Sequence, residues 1–246
     1  MTVDYSCAEG IAQVHLNRPE RLNAVVPALV EDLLAAFARA REDQARVIVL
    51  AGRGKAFCAG HDLKEPVPVE TEEQTRARLE RIQDVTRAIR DFPGIVIAAV
   101  HGYALGAGAE FALGCDLVVA QTSAQFGFPE VGVGLSVTGG ISSLLPRIVG
   151  LARAKEMLLL GERIHPPRAY ELGLINSYAL NHEKHAMKLA RRIVAQPPVA
   201  AGLAKRALDL GLDSTLEQAM ATEVDHAIVT SLSGEGDKPR EEFGRG

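Results

Sequence analysis

Ala56-Phe57-Cys58-Ala59-Gly60-His61-Asp62-Leu63 and Gly102-Tyr103-Ala104-Leu105-Gly106-Ala107-Gly108-Ala109-Glu110 share one local pattern, a small glycine-rich turn placed directly after an apolar run. The runs that precede them, Val47-Ile48-Val49-Leu50 and Ile95 to Val100, are short and continuous. That is the signature of strands buried on both faces. A turn built of glycine and alanine can point a backbone N–H outward with no bulky side chain in front of it. Two such donors aimed at one point are what an oxyanion hole needs, and Glu110 lies within one helical turn of the second donor. Phe126-Gly127-Phe128-Pro129-Glu130 supplies a second carboxylate in an apolar setting.

Outward from these turns, helix and strand patterns alternate. Val14-His15-Leu16 reads as an early strand ending at Pro19. From Val26 to about Ala40, Leu29, Val30, Leu33 and Phe37 recur at helical spacing, and Thr71 to Arg90 repeats the pattern with Leu79, Ile82, Val85 and Ile89 on one stripe. Leu117 to Ala120 is a further buried strand. Strand and helix in this rhythm imply right-handed βαβ units and a largely parallel sheet. After about Leu151 the pattern turns helical: Leu151 to Leu160, Pro167 to Leu172, His182 to Ala195, Pro198 to Leu210 and Ser214 to Leu232, with one short strand near Ile175. Ser233 to Arg240 is polar, broken by Gly and Pro, and reads as a loop or mobile tail.

The chain has 246 residues, 47% of them hydrophobic, enough to bury a core of one domain plus a helical appendage. Its net charge of -4 is spread without long single-sign blocks, which argues against nucleic acid as the main partner. Cys7, Cys58 and Cys115 form neither a disulfide framework nor a zinc pattern, so a reducing compartment is expected. The N-terminal residues lack the features of a signal peptide. Ile95 to Ala120 is interrupted by His101, Glu110 and Asp116 and is no membrane span. The expectation is a cytoplasmic protein with no membrane partner.

The same turns, with Leu16-Asn17-Arg18-Pro19-Glu20-Arg21-Leu22-Asn23-Ala24 before them and Gly139-Gly140, Leu145 to Gly150 and Ala169 to Asn176 after them, resemble the crotonase family, the enoyl-CoA hydratases and isomerases. Nearly the whole chain takes part. The resemblance implies an α/β crotonase (ClpP/crotonase-like) fold, repeated ββα units forming a spiral core with a C-terminal helical trimerisation region. It places the spiral core, with the coenzyme A and acyl site, in residues 1–195, and the helical region and tail in 196–246. It also implies an acyl-CoA thioester as substrate in fatty acid metabolism, and a homotrimer or dimer of trimers. Coenzyme A belongs to the substrate, so no separate cofactor or metal is expected. The activity hosted varies within this scaffold.

Residue by residue, the resemblance puts the first oxyanion donor at the N–H of His61 and the second at the N–H of Ala107, where many relatives carry glycine. Glu110 and Glu130 become an acid–base pair. Two carboxyls facing one water and one alkene carbon repel, so that one stays protonated. Arg21, Leu22, Ala24, Ala59, Gly60, Asp62, Lys64, Gly106 and Thr138 are the expected substrate contacts, with Arg21 and Lys64 as phosphate partners. Ser136-Val137-Thr138 stands where many hydratases have Pro-Gly beside the acyl site, which points to an atypical substrate shape. Asp237 to Phe243 departs from the basic finish usual in relatives, which puts recognition of the adenine end in question.

Other chemistries fit less well. Gly106 and Gly108 begin a dinucleotide fingerprint that Phe111 breaks. Gly134 to Thr138 nearly spells a nucleophile elbow but ends in Thr138. His182 and His185 are three apart, not the four of a zinc protease, and are expected on an exposed helix face. The leading expectation is syn hydration of a 2-enoyl-CoA to a 3-hydroxyacyl-CoA through an oxyanion-stabilised thioester enolate. The alternatives are a double-bond isomerase using mainly Glu130, another crotonase-type reaction on an alicyclic or aromatic acyl-CoA, and a non-catalytic acyl-CoA-binding subunit.

Overall fold

A computed structural model describes residues 1–64 and 69–236. Apolar strand runs pair side by side into a six-stranded sheet in the order β1 (Val3–Ala8), β2 (Ile11–Leu16), β3 (Val47–Gly52), β4 (Ile95–Val100), β6 (Leu117–Gln121) and β8 (Ser177–Ala179). β1 runs antiparallel to β2, and every later pair is parallel. Two further strands, β5 (Tyr103–Leu105) and β7 (Gln125–Gly127), pair parallel in a small second sheet. Single bridges extend it, Cys58 to Ala104 on one side and Phe126 to Ile164 on the other.

The helices are α1 (Pro27–Glu42), α2 (Glu72–Arg90), α3 (Ala107–Gly114), α4 (Ile141–Val149), α5 (Leu151–Leu160), α6 (Pro166–Glu171), α7 (His182–Val194), α8 (Pro198–Gly211) and α9 (Leu216–Leu232). Three times the chain passes from the large sheet to the small one and then into a helix: β3, Cys58, α2; then β4, β5, α3; then β6, β7, α4. This is the expected ββα repeat.

Both faces of the large sheet are covered. Leu16, Ile48, Leu50, Val96 and Val100 join Leu29, Leu33 and Phe37 of α1 and Val85 and Ile89 of α2 in the main core. On the other face Val47, Val49, Ile97, Ala99 and Val119 meet Ala186 and Ala190 of α7. The unbroken apolar strand runs follow from this double cover.

The core of α2 is its C-terminal half: Ile82, Val85, Thr86 and Ile89 are buried, whereas Leu79, expected on the same stripe, is exposed. His182 also departs from expectation. It is buried at the start of α7, with its ring centroid 5.1 Å from that of His101. Helical spacing shows which face a residue occupies, but not that a histidine on the inner face packs against another ring.

α8 is fastened to the sheet by a buried ammonium. Lys205 Nζ donates to the carbonyls of Phe92 (3.0 Å) and Gly94 (3.2 Å) and lies 3.0 Å from an Asp116 carboxylate oxygen. That same oxygen accepts the Val96 N–H at 2.7 Å. No helix among the described residues is long and apolar enough to cross a membrane. The atypical finish from Asp237 to Phe243 and the end of the expected tail lie outside the described residues.

Candidate active site

The two small-residue turns lie against one another at the C-terminal ends of β3 and β4. Cys58 N–H donates to the Tyr103 carbonyl at 2.9 Å, and Leu105 N–H donates to the Cys58 carbonyl at 3.0 Å. Gly60 and Gly106 sit back to back. Both have positive φ, +89° and +53°. A Cβ on Gly60 would stand 2.8 Å from the Leu105 carbonyl oxygen and 3.6 Å from the Gly106 Cα. Any larger residue would therefore part the two turns.

The residues that follow these glycines are His61 and Ala107, the expected donors. Ala107 is the first residue of α3, where N–H groups have no intrahelical acceptor. Among the described residues neither the His61 N–H nor the Ala107 N–H donates a hydrogen bond. The start of α3 adds its partial positive charge at the same spot. Burial and the nearby Arg78 charge hold the His61 imidazole below the ordinary histidine range, so it is neutral near pH 7.

Both glutamates come to this point. Glu110 is 1% exposed on the first turn of α3, and its backbone N–H donates to the Gly106 carbonyl at 3.0 Å. Its Oε1 accepts the Thr138 N–H and its Oε2 accepts the Thr138 hydroxyl, each at 2.7 Å. Gly139, at φ +59°, lets the chain make this approach: a Cβ there would be 2.7 Å from the Glu110 Cβ. Glu130 enters from the end of the β7 segment and is 7% exposed. A Cβ on Gly106 would lie 2.9 Å from Glu130 Oε1, which places that carboxyl beside the second donor turn. Its Oε2 has no hydrogen-bond partner among the described residues.

Burial pushes the Glu110 carboxyl above the ordinary carboxylate range, and the two Thr138 bonds pull it back in part. Burial also pushes Glu130 up, its own backbone N–H opposes this, and the Glu110 charge raises it further. One site thus joins two free N–H groups, a saturated carboxyl and an unsaturated one. It can stabilise a developing enolate while handling a proton on each side.

Most of the expected substrate contacts lie on two segments that bond to one another, 21–24 and 59–64, here called the rim. Leu22, in the left-handed region at φ +52°, accepts the Ala59 N–H at 3.0 Å, and Gly60 accepts the Val25 N–H at 2.8 Å. Ala24 is buried in this junction. Asp62 turns to its own chain: Arg21 meets it at 2.8 Å and Arg18 at 3.4 Å. Burial alone would raise the Asp62 carboxyl, but Arg21, the Lys64 N–H and Arg18 together hold it below the ordinary range. Arg21 keeps about a third of its side chain exposed, and Lys64 is exposed at the edge of the described chain. Thr138 has both its donors on Glu110.

Asn23, within the Leu16 to Ala24 motif, is fully buried and holds the rim together. Its Oδ1 accepts the Arg18 N–H at 2.8 Å, and its Nδ2 donates to the Ala56 carbonyl at 2.8 Å and the Arg53 carbonyl at 3.0 Å. A polar residue two places after Arg21, in a turn that follows Pro19, carries no signal of burial in the sequence.

Comparison with known proteins gives the family. Residues 6–235 match the family model described as enoyl-CoA hydratase/isomerase. The chain belongs to the enoyl-CoA hydratase/isomerase family. It is 39% identical to the mitochondrial enoyl-CoA hydratase domain-containing protein 2 of Bos taurus, over 87% of this chain and 75% of that one. It is 34% identical to the 1,2-epoxyphenylacetyl-CoA isomerase of Escherichia coli, over 92% of this chain and 89% of the relative. The crystal structure of the enoyl-CoA hydratase from Bacillus anthracis superposes with a TM-score of 0.93 at 32% identity, covering 100% of this chain and 96% of that one. The protein is therefore an enzyme of a family whose members include hydratases and isomerases, and it has their crotonase fold.

Proposed function

We propose that this enzyme adds water across the conjugated double bond of a 2-enoyl-CoA, giving the 3-hydroxyacyl-CoA. One observation carries the reading: two buried carboxyls, Glu110 and Glu130, converge beside the unpaired N–H groups of His61 and Ala107. The thioester oxygen sits between the two N–H groups, where negative charge develops as water attacks the β-carbon. A water held by both carboxyls loses a proton to one of them, and the α-carbon receives a proton from the other. Both acids flank Gly106, and delivery of water and proton from that one place puts both new bonds on the same face. The rim of Arg21, Leu22, Ala24, Ala59, Gly60 and Lys64 is the coenzyme A approach. No metal or further cofactor enters this scheme, and we take the enzyme to act in the cytoplasm as a trimer or dimer of trimers.

Incubation with a panel of enoyl-CoA thioesters in deuterated water, read by mass spectrometry, tests the assignment. The expected product carries one added water. Isotope exchange at the α- or γ-carbon without addition would assign the enzyme to isomerisation instead, and no change on any thioester would point to a binding subunit.

A further inference from the structure

The direction of the His61 N–H is set by a residue on another segment. The Gly60 carbonyl and the His61 N–H belong to one planar trans peptide and so point opposite ways. That carbonyl accepts the Val25 N–H at 2.8 Å, and the Asp62 N–H donates to the Val25 carbonyl at 3.1 Å. Val25 and His61 thus form a single parallel bridge, which turns the His61 N–H away from Val25, where it meets no acceptor among the described residues. The donor stays open only while segment 21–25 keeps its register with segment 59–62.

Arg21 holds that register. Its Nε and Nη2 donate to Asp62 Oδ2 and Oδ1 at 3.1 and 2.8 Å, a two-pronged grip on the residue next to the donor. Arg18 meets Oδ2 at 3.4 Å and also donates to the Ala24 carbonyl, and the Asp62 side chain is only 5% exposed. A cation kept for phosphate would leave its fork open to solvent. Arg21 instead spends the fork on Asp62, although 35% of its side chain remains exposed.

We infer that Arg21 is a positioning residue: through Asp62 it fixes segment 21–25 against the 59–62 turn and so aims the His61 N–H at the thioester oxygen. This role rests on the oxyanion reading above and not on which reaction follows. A phosphate partner, the role expected from the sequence, predicts the opposite behaviour.

Two measurements separate positioning from phosphate binding. Dimethylaminocinnamoyl-CoA, a conjugated thioester, absorbs at longer wavelength when its carbonyl oxygen is hydrogen-bonded. Bound to the parent it should show this shift, and at saturation on Arg21→Gln it should lose about half of it, since one of two donors is misaimed. On an enoyl-CoA that the parent turns over, Arg21→Gln should lower kcat about tenfold, part of the roughly 10²–10³ fold lost with a whole donor, with KM changed less than about twofold. The same fall in kcat/KM should appear on the N-acetylcysteamine thioester of that acyl group, which carries no phosphate. Asp62→Asn should behave like Arg21→Gln, and the double variant should cost little more than the larger single loss, because the two side chains act as one unit. Should the glutamine variant fail to fold, Arg21→Lys keeps the charge but gives up the fork, and is read in the same way. A KM that rises with kcat unchanged, or a loss confined to the coenzyme A thioester, makes Arg21 a phosphate partner and overturns the inference. So does a folded variant that keeps the full spectral shift. A parent with no spectral shift overturns the oxyanion reading, and the inference with it.

Discussion

Glu130 keeps one carboxylate oxygen without a partner among the described residues in a buried site, an arrangement that costs stability and suits a group that exchanges a proton. Two predictions follow at this scale. Glu110→Gln and Glu130→Gln should each lower turnover by about 10²–10⁴ fold, and the double variant should lose far less than the product, because groups acting on one water are not additive. A folded Glu110→Gln enzyme with near-normal turnover would overturn the two-carboxylate reading. The second concerns stability. An acid whose folded value is raised above the ordinary 4.5 binds its proton more tightly folded than unfolded. Its contribution is present below 4.5 and is lost as pH rises through the raised value. Glu130→Gln removes this loss, so the variant should gain in Tm over the parent as pH increases from the ordinary value towards 8. Differential scanning calorimetry at several pH values reads the gap, and a gap that narrows with rising pH would contradict the assigned shift.

At the scale of elements, the start of α3 is where backbone direction becomes chemistry. Ala107→Pro deletes one donor while placing proline in the first helical turn, a position helices accept, and should lower turnover by about 10²–10³ fold in a protein shown by circular dichroism to be folded. His61→Ala keeps its N–H and should cost much less; loss of all turnover there would make the imidazole catalytic. The elements that sequence shows best are those whose physics is local. β3 and β4 are continuous apolar runs because both faces are covered, and α1 shows its buried stripe directly. β5 and β7 are three residues each and exist through pairing with one another and with Cys58 and Ile164, so no window of sequence could show them. Leu79 satisfied helical periodicity but lies beyond the part of α2 that the core covers, and periodicity carries no information on where a core ends. The two carboxyls could be read because each glutamate stands among apolar neighbours. The second anchor of Glu110 could not, because Thr138 lies 28 residues away and meets it only through the fold.

For the whole molecule, the last helix carries an unused surface. Leu216, Met220, Val224, Ile228 and Leu232 recur every four residues along α9, and all five are exposed in the single chain. A stripe of this kind is a candidate association surface. Light scattering at micromolar concentration should report an oligomer, and Val224→Glu with Ile228→Glu should shift it towards monomer; a monodisperse parent monomer would contradict this. The Lys205 ammonium on α8 ties the C-terminal helices to the rest of the chain. It neutralises Asp116, which itself holds the start of β4, and it caps carbonyls at the end of α2, so a single charge bridges sheet, helix and C-terminal region. Removing Lys205 strands a buried acid, a change that typically costs about 3–5 kcal/mol. A neutral pair, Lys205→Met with Asp116→Asn, should recover much of it on a urea titration. Inheritance of the two regions is thereby linked. A change at Asp116 would loosen the seat of α8 on the sheet without touching a residue of the site, so the catalytic half and the C-terminal helices cannot vary independently at that position.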